Sequence, residues 1–232
     1  MTIKDNVNEI RSQIAEACRK AGRAPAEVTL VAVTKFAPLD AIQQAIDAGV
    51  RHIAENRVQE AESKFPPLLA KNPGLSTHII GHLQTNKAKD AIKVASLIQS
   101  VDSLKLAEEI QKHALKTNKP VDVLVQFNTA NEEQKFGAAP EEAYLLIEQI
   151  SQLTHVRIKG LMAMAPMTQD EKMIRLAFSD LRIIRDDIVN EFKGNPKVET
   201  DILSMGMSGD YKIAIEEGST MVRVGSAIFK SS

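Results

Sequence analysis

Several side chains with useful chemistry follow short apolar runs of this sequence. Lys35 comes directly after the apolar run 29–34. Desolvation lowers the pKa of an amine, and the neutral form is the nucleophile that condenses with an aldehyde. We therefore expect Lys35 to lie away from bulk water and to be able to form a Schiff base. The alternative is a lysine that reaches solvent or pairs with Glu55.

Two segments that contain glycine and serine are candidates for phosphate binding. Residues 204–210 read Ser-Met-Gly-Met-Ser-Gly-Asp, and Gly225 and Ser226 follow a later apolar run. Glycines let backbone N–H groups approach an anion, and a helix that starts nearby presents its positive N-terminus. The two segments together predict a phosphate site. The alternative is a tight turn with Ser208 as a helix N-cap.

Arg223 stands two residues before Gly225, within an apolar run. A guanidinium only donates hydrogen bonds, so an inward-facing Arg223 would keep the ring nitrogen of a pyridine cofactor unprotonated. The alternative is a rim arginine paired with Glu216 or Glu217.

Methionine side chains are flexible and polarisable, so they can pack against the flat ring of a ligand or simply fill a core. Five of the eight methionines fall in segments that we expect near the same rim: Met162, Met164, Met167, Met205 and Met207.

Eight apolar, β-rich runs alternate with helical patterns and must position these residues. The predicted strands are 29–34, 52–55, 77–80, 97–101, 121–127, 156–162, 201–204 and 221–224. The predicted helices are 3–21, 39–48, 57–64 (ended by Pro66 and Pro67), 86–95, 103–116, 140–150, 170–191 and 209–216. This alternation predicts a single α/β domain over residues 1–232, a (β/α)8 TIM-type barrel with an additional N-terminal helix. Its strand ends would meet at one mouth; a doubly wound open sheet is the alternative.

Composition and charge exclude several functional classes. The formal net charge of −1 gives no broad field that would attract nucleic acid or an acidic membrane. The single cysteine, Cys18, suits a reducing cytoplasm and is expected to be a small core residue. No signal peptide or membrane-spanning stretch is evident. The five scattered histidines, with His78 and His82 on and after a strand, disfavour a metal site.

Six segments in order across nearly the whole chain resemble the YggS/PROSC family of pyridoxal phosphate homeostasis proteins. They are Val31-Ala-Val-Thr-Lys35, Glu55-Asn-Arg-Val-Gln-Glu60, His78-Ile-Ile-Gly-His-Leu-Gln-Thr-Asn-Lys87, Gly160-Leu-Met-Ala-Met164, Ser204-Met-Gly-Met-Ser-Gly-Asp210 and Val222-Arg-Val-Gly-Ser-Ala-Ile-Phe229. The resemblance implies a fold type III barrel, similar to the N-terminal domain of alanine racemase.

The resemblance also implies a cofactor, pyridoxal 5′-phosphate (PLP), and a set of contacts. Lys35 would carry PLP as a solvent-accessible Schiff base, and Asn56 would lie near the ring. Ser204, Gly225 and Ser226 would hold the phosphate, and Arg223 would face the pyridine nitrogen. Met162 and Met207 complete the expected cofactor-binding set. Ala37 stands where some relatives carry a second lysine, which puts any mechanism that needs that lysine in doubt.

The same resemblance implies a binding protein without catalytic residues. Family members look like cytoplasmic monomers that maintain PLP, with PLP-dependent apoenzymes as candidate recipients and no nucleic-acid or membrane partner. A weak amino-acid racemase is the alternative function, and a barrel that acts on a sugar phosphate is a third. A racemase of this type needs a second base, and neither tyrosine, Tyr144 or Tyr211, is predicted to supply it. The polar loop 129–139 is a candidate lid, and its Lys135 a candidate accessory lysine.

Overall fold

A computed structural model describes residues 2–130, 132 and 136–230. Eight parallel strands form a closed barrel in chain order, and β8 pairs with β1. The strands are β1 (Thr29–Val33), β2 (His52–Glu55), β3 (Ser76–Ile79), β4 (Leu97–Val101), β5 (Val121–Gln126), β6 (Val156–Met162), β7 (Val198–Ser204) and β8 (Met221–Val224). All eight predicted strands are confirmed, and closure of the sheet rules out the open-sheet alternative.

Helices follow the strands and cover the outside of the barrel. The described residues contain α1 (Ile3–Lys20), α2 (Leu39–Asp47), α3 (Val58–Lys71), α4 (Ala88–Val94), α5 (Leu104–Thr117), α6 (Ala143–Ser151), α7 (Glu171–Glu191), α8 (Tyr211–Glu216) and α9 (Ser226–Phe229). The additional N-terminal helix is confirmed as α1, which packs against α2, α8 and α9. The short α9 was not predicted, because a single turn is too brief to show a periodic apolar pattern.

The predicted end of α3 before Pro66 is wrong. A proline removes one intrahelical hydrogen bond and usually ends or kinks a helix. Here α3 continues through Pro66 and Pro67 to Lys71. Phe65 and Leu68 are buried in the core and hold this part of the helix against the barrel. Both prolines are exposed, so water can solvate the carbonyl groups that lose their partners.

Two apolar layers stabilise the barrel. The larger layer lies between the strands and the surrounding helices. A smaller cluster fills the barrel interior and consists of Val31, Ala54, Leu97, Leu124, Met162 and Met221. Gly160 allows β6 and β7 to meet, since a Cβ atom there would lie 1.9 Å from the carbonyl oxygen of Ile202. Within the described ranges, no helix has the length and apolar character needed to cross a membrane.

Candidate functional site

Strand alternation decides which side chains reach the barrel mouth. Successive side chains of a strand point to opposite faces, so residues two apart share a face. Ala54, Met162 and Met221 lie in the interior cluster. The residues two positions further along these strands are Asn56, Met164 and Arg223. These three therefore face the interior one layer closer to the C-terminal ends of the strands, where barrels carry their binding sites.

Lys35 lies at the mouth but is exposed, so the prediction that it is shielded from bulk water is wrong. The chain turns outward directly after β1. Phe36 adopts a left-handed backbone conformation with φ of 67° and is 94% exposed, and the Ala37 N–H closes the turn on the Thr34 carbonyl. Lys35 lines a cleft of about 770 Å³ together with Gly225 and Ser226. The structure thus joins the lysine to one of the two predicted phosphate segments.

The alternative pairing of Lys35 with Glu55 is not present. Glu55 is fully buried, and its Oε1 accepts hydrogen bonds from the Thr34 hydroxyl at 2.7 Å and from Lys64 Nζ at 3.0 Å. Lys64 Nζ also donates to the Thr34 carbonyl and contacts Glu60 Oε2 at 3.0 Å. Burial lowers the pKa of Lys64, but the two carboxylates outweigh it and raise the pKa overall. This ion pair anchors the strand end that carries Lys35.

The two predicted phosphate segments meet, although Ser208 does not cap a helix. The Gly225 N–H donates to the Ser208 hydroxyl at 3.3 Å, and α8 begins at Tyr211 without a side-chain cap. Asp210 Oδ1 accepts the Met207 N–H within the first segment. Burial raises the pKa of Asp210, while the Met207 N–H and the charge of Arg223 oppose that rise.

Ser204 lies beneath the mouth, and its expected contact with a phosphate stays a prediction. The residue is completely buried. Its hydroxyl donates to Gln99 Oε1 at 2.6 Å and accepts from Arg223 Nη1 at 2.6 Å. Because both bonds point into the barrel, Ser204 supports Arg223. Gly225 and Ser226 lie nearer the surface, half-buried and exposed respectively.

Arg223 faces inward, as predicted, and is 3% exposed. Its second guanidinium nitrogen, Nη2, donates to the Ala163 carbonyl at 2.9 Å. The alternative partners, Glu216 and Glu217, are bound by Arg175. Burial lowers the pKa of Arg223 to about 10, with Asp210 opposing the shift, so the guanidinium remains charged at neutral pH.

The two methionines of the expected set occupy different environments. Met162 is completely buried in the interior cluster, below the mouth, and its contact with a cofactor stays a prediction. Met164, two residues further along, is half-buried and packs on that cluster. Met207 is 40% exposed on the loop after β7. Strand parity therefore makes Met164 a better candidate than Met162 for a wall of the mouth.

Asn56 is half-buried directly after β2. Its carbonyl group packs so closely on Gly81 that a Cβ atom at Gly81 would lie 2.2 Å from the oxygen. The next residue, His82, stacks on Phe136 with ring centroids 4.0 Å apart and contacts Asp102 at 3.3 Å. These contacts lie at the C-terminal ends of β2, β3 and β4 and join them to Phe136, which follows β5.

The last residues of loop 129–139 are hydrogen-bonded to the end of β5. The Gln126 side chain donates to the Phe136 carbonyl at 2.9 Å, and the Ala138 N–H donates to the Gln126 carbonyl. The role of this loop as a lid stays a prediction. Lys135, the candidate accessory lysine, lies outside the described residues.

Sequence reasoning missed a set of buried polar residues that support Arg223. Gln99 Nε2 contacts His78 Nδ1 at 2.8 Å, and His78 Nε2 contacts His52 Nδ1 at 3.1 Å. Burial, with a smaller contribution from His52, lowers the pKa of His78 to about 3. Burial also lowers the pKa of His52. A polar Gln99 in the middle of a strand predicted to be buried on both faces was the available signal.

Two other kinds of chemistry, metal binding and proton transfer by tyrosine, were considered for the mouth. Among the described residues, no group of three or more His, Cys, Asp or Glu side chains could hold a metal ion. The Tyr211 hydroxyl donates to Gln13 on α1, and the half-exposed Tyr144 ring lies against Phe192. Both tyrosine rings are thus engaged on outer helices.

Comparison with known proteins places this arrangement in a family. The sequence profile described as alanine racemase, N-terminal domain, matches residues 5–232. A pyridoxal phosphate homeostasis protein from Aquifex aeolicus is 38% identical over 229 residues, which cover 99% of this chain and 98% of that protein. The chain belongs to the pyridoxal phosphate homeostasis protein family. Another member, from Escherichia coli, is 35% identical over 229 residues, covering 98% of this chain and 95% of that protein. The resemblance seen in the sequence is therefore confirmed.

Solved structures agree with this family assignment. PipY of Synechococcus elongatus, solved with PLP bound, superposes with a TM-score of 0.85 at 34% identity, covering 99% of this chain and 100% of PipY. An alanine racemase from Clostridium difficile has a TM-score of 0.75 at 16% identity and covers 98% of this chain but 57% of the enzyme. That second likeness shows the barrel fold alone. Members of the homeostasis family thus share their barrel with a larger enzyme.

Proposed function

We propose that this chain binds PLP through Lys35 and takes part in PLP homeostasis as a carrier without turnover. The observation that carries the proposal is the cleft in which Lys35 lies together with Gly225 and Ser226. The amine of Lys35 would react with the aldehyde of PLP, and the turn at Gly225 and Ser226 would bind its phosphate. The family membership and the PLP bound in the PipY structure support the same ligand.

The side chains at the mouth fit this cofactor. The first N–H groups of a helix have no intrahelical partner, and those of α9 follow Gly225. Gly225 packs tightly on β1, because a Cβ atom there would lie 3.0 Å from the Val33 carbonyl oxygen. Arg223 offers a buried cationic donor, and two of its five N–H groups are used in its two described hydrogen bonds. Together with the Lys35 amine, these donors support a site in which the phosphate, the aldehyde and the pyridine nitrogen would each meet a partner.

Each residue has a distinct part in holding the cofactor. When bound, PLP supplies an aldehyde that condenses with a primary amine to a Schiff base and releases water. Lys35 would supply that amine, Gly225 and Ser226 would bind the phosphate, and Asn56 would lie near the ring. Arg223 would donate to the ring nitrogen and keep a proton off it, which would weaken the ring as an electron sink. Such a site favours storage of PLP over carbanion chemistry.

Exposure of Lys35 supports a carrier more than an enzyme. Controlled carbanion chemistry benefits from excluded water, whereas exchange of a cofactor needs access to it. The rival function is a weak PLP-dependent amino-acid racemase, which the shared barrel fold favours. Racemisation needs a second base across the substrate, and the two tyrosine rings lie on outer helices. Steady racemisation by the loaded protein above that of free PLP, lost in Lys35→Ala, would establish the rival.

The proposal extends to location and partners. We infer a cytoplasmic monomer that exchanges PLP with PLP-dependent apoenzymes and binds neither nucleic acid nor membrane. One buried cysteine and a net charge of −1 support this environment. Sedimentation at several protein concentrations tests the monomer, because a dimer would change the sedimentation coefficient as concentration rises.

Titration with PLP tests the binding site. After removal of free PLP, we expect wild type and Lys230→Ala to retain a visible absorption band that saturates with added PLP, and Lys35→Ala to retain none. Lys230 is the matched control, because it lines the same cleft and is also exposed. Equal bands in Lys35→Ala and wild type would refute the role of Lys35.

A transfer assay tests the carrier role. The loaded protein, freed of unbound PLP, is mixed with a PLP-dependent apoenzyme, and recovery of that enzyme's activity is followed. We expect recovery from wild type, with matching loss of the protein's own visible band. Retention of the band in the presence of excess apoenzyme would contradict a carrier that gives up its PLP.

A further inference from the structure

A continuous chain of hydrogen bonds crosses the barrel interior below the mouth. It joins, in order, the side chains of Arg223, Ser204, Gln99, His78 and His52. All but His52 are at least 97% buried, and His52 is half-buried at the start of β2. The chain therefore runs from the layer of the proposed ring-nitrogen contact to the opposite end of the barrel.

Arg223 imposes one direction on every bond of this chain. A guanidinium can only donate, so the Ser204 hydroxyl accepts from Arg223 and uses its own proton toward Gln99 Oε1. The amide of Gln99 is then left to donate through Nε2 to His78 Nδ1. Consequently His78 carries its proton on Nε2 and donates to His52 Nδ1.

This arrangement restrains the guanidinium from below. Arg223 has two acceptors, the Ala163 carbonyl and the Ser204 hydroxyl. The carbonyl belongs to the backbone, whereas the hydroxyl can rotate. Gln99 removes that freedom because its Oε1 accepts the Ser204 hydroxyl at an oxygen–oxygen distance of 2.6 Å. The Gln99 amide is itself held by His78 and by a contact of 3.2 Å to the Met221 sulfur.

We propose that Gln99 is a positioning residue that, through Ser204, aims the Arg223 guanidinium at the ring nitrogen of PLP. The inference rests on the proposed function, since it assigns how that site is held. It also gives Ser204 a role other than phosphate binding. Gln99 lies below the mouth and reaches Arg223 through Ser204, in a chain of donors that points away from Arg223.

The experiment compares Gln99→Met with the control Thr77→Val. Thr77 is also buried, at 3% exposure on the neighbouring strand β3, and its substitution also removes a buried side-chain hydrogen bond, to the Val94 carbonyl and away from the mouth. We expect similar losses of thermal stability. Only Gln99→Met should shift the absorption maximum of the bound PLP and speed its release, roughly tenfold, the order expected for a misdirected hydrogen bond from a charged donor.

Borohydride labelling separates this inference from the proposed function. Labelled Lys35 in Gln99→Met, together with a shifted absorption maximum, supports the inference. Labelled Lys35 with the spectrum and release rate of Thr77→Val overturns it and leaves the proposed function intact. An unlabelled wild type overturns both.

A second measurement applies even if Gln99→Met fails to fold. Nitrogen-15 NMR of the intact wild-type protein reports which ring nitrogen of each histidine carries the proton. The direction of the chain requires protonated Nε2 in both His78 and His52. A proton on His78 Nδ1 would show that Gln99 presents its carbonyl to His78, which would break the proposed direction and overturn the inference.

Discussion

Acidification should destabilise the protein through His78. Burial lowers the pKa of this residue from 6.5 to about 3, so the folded state binds fewer protons than the unfolded state between these values. The pKa shift of His78 therefore lowers the free energy of unfolding only below pH 6.5. The free energy of unfolding then falls further as the pH drops toward 3. One pKa unit corresponds to about 1.4 kcal/mol, so lowering the pH from 8 to 5 should cost about 2 kcal/mol at this residue.

Urea denaturation at pH 8 and pH 5 measures this contribution. In His78→Asn the titrating ring is absent, while an amide oxygen can still accept from Gln99. The loss of unfolding free energy between the two pH values should therefore be about 2 kcal/mol smaller than in wild type. His155→Asn is the control, because that ring lies near the surface and bonds Thr154 and Asn118. An equal loss in wild type and His78→Asn would refute the buried, neutral state of His78.

Three further substitutions test other parts of the structure. Lys64→Met leaves the buried Glu55 carboxylate without its cation and should cost about 3 kcal/mol by urea denaturation, whereas the same change at an exposed lysine should cost under ~0.5 kcal/mol. Gly160→Ala places a Cβ atom against the Ile202 carbonyl and should lower the melting temperature by roughly 6 °C or more, unlike Gly74→Ala, which meets open space. Ser226→Ala should leave stability within about 0.5 kcal/mol but weaken PLP retention roughly tenfold in an absorbance titration; unchanged retention would remove Ser226 from the phosphate site.

The barrel could be predicted because its strands have an unambiguous local signature. Strands buried on both faces are short, continuous apolar runs, and turn residues separate them from amphipathic helices. The run 97–101, for example, is completely buried and was predicted with its observed bounds. The continuation of α3 through Pro66 could not be predicted, since it depends on how Phe65 packs in three dimensions.

The direction in which each candidate side chain points was harder to predict than the strand end at which the residue lies. Lys35 is exposed because Phe36 adopts a left-handed conformation, which no local motif signals. Ser204 bonds Gln99, 105 residues away, only because closure of the barrel brings β7 and β4 across the same interior. Met162 and Met164 are two residues apart and share a face, so Met164 could have been predicted to lie one layer nearer the mouth than Met162. The inward direction of Arg223, by contrast, was predicted.

Mass mapping after reduction tests the central claim most directly. The purified protein is loaded with PLP, reduced with borohydride, digested and analysed for a pyridoxyl adduct. The proposed site predicts the adduct on the peptide that contains Lys35, with Lys230 of the same cleft unmodified. A protein that stays colourless and carries no adduct after incubation with PLP, or an adduct confined to another lysine, would contradict the account.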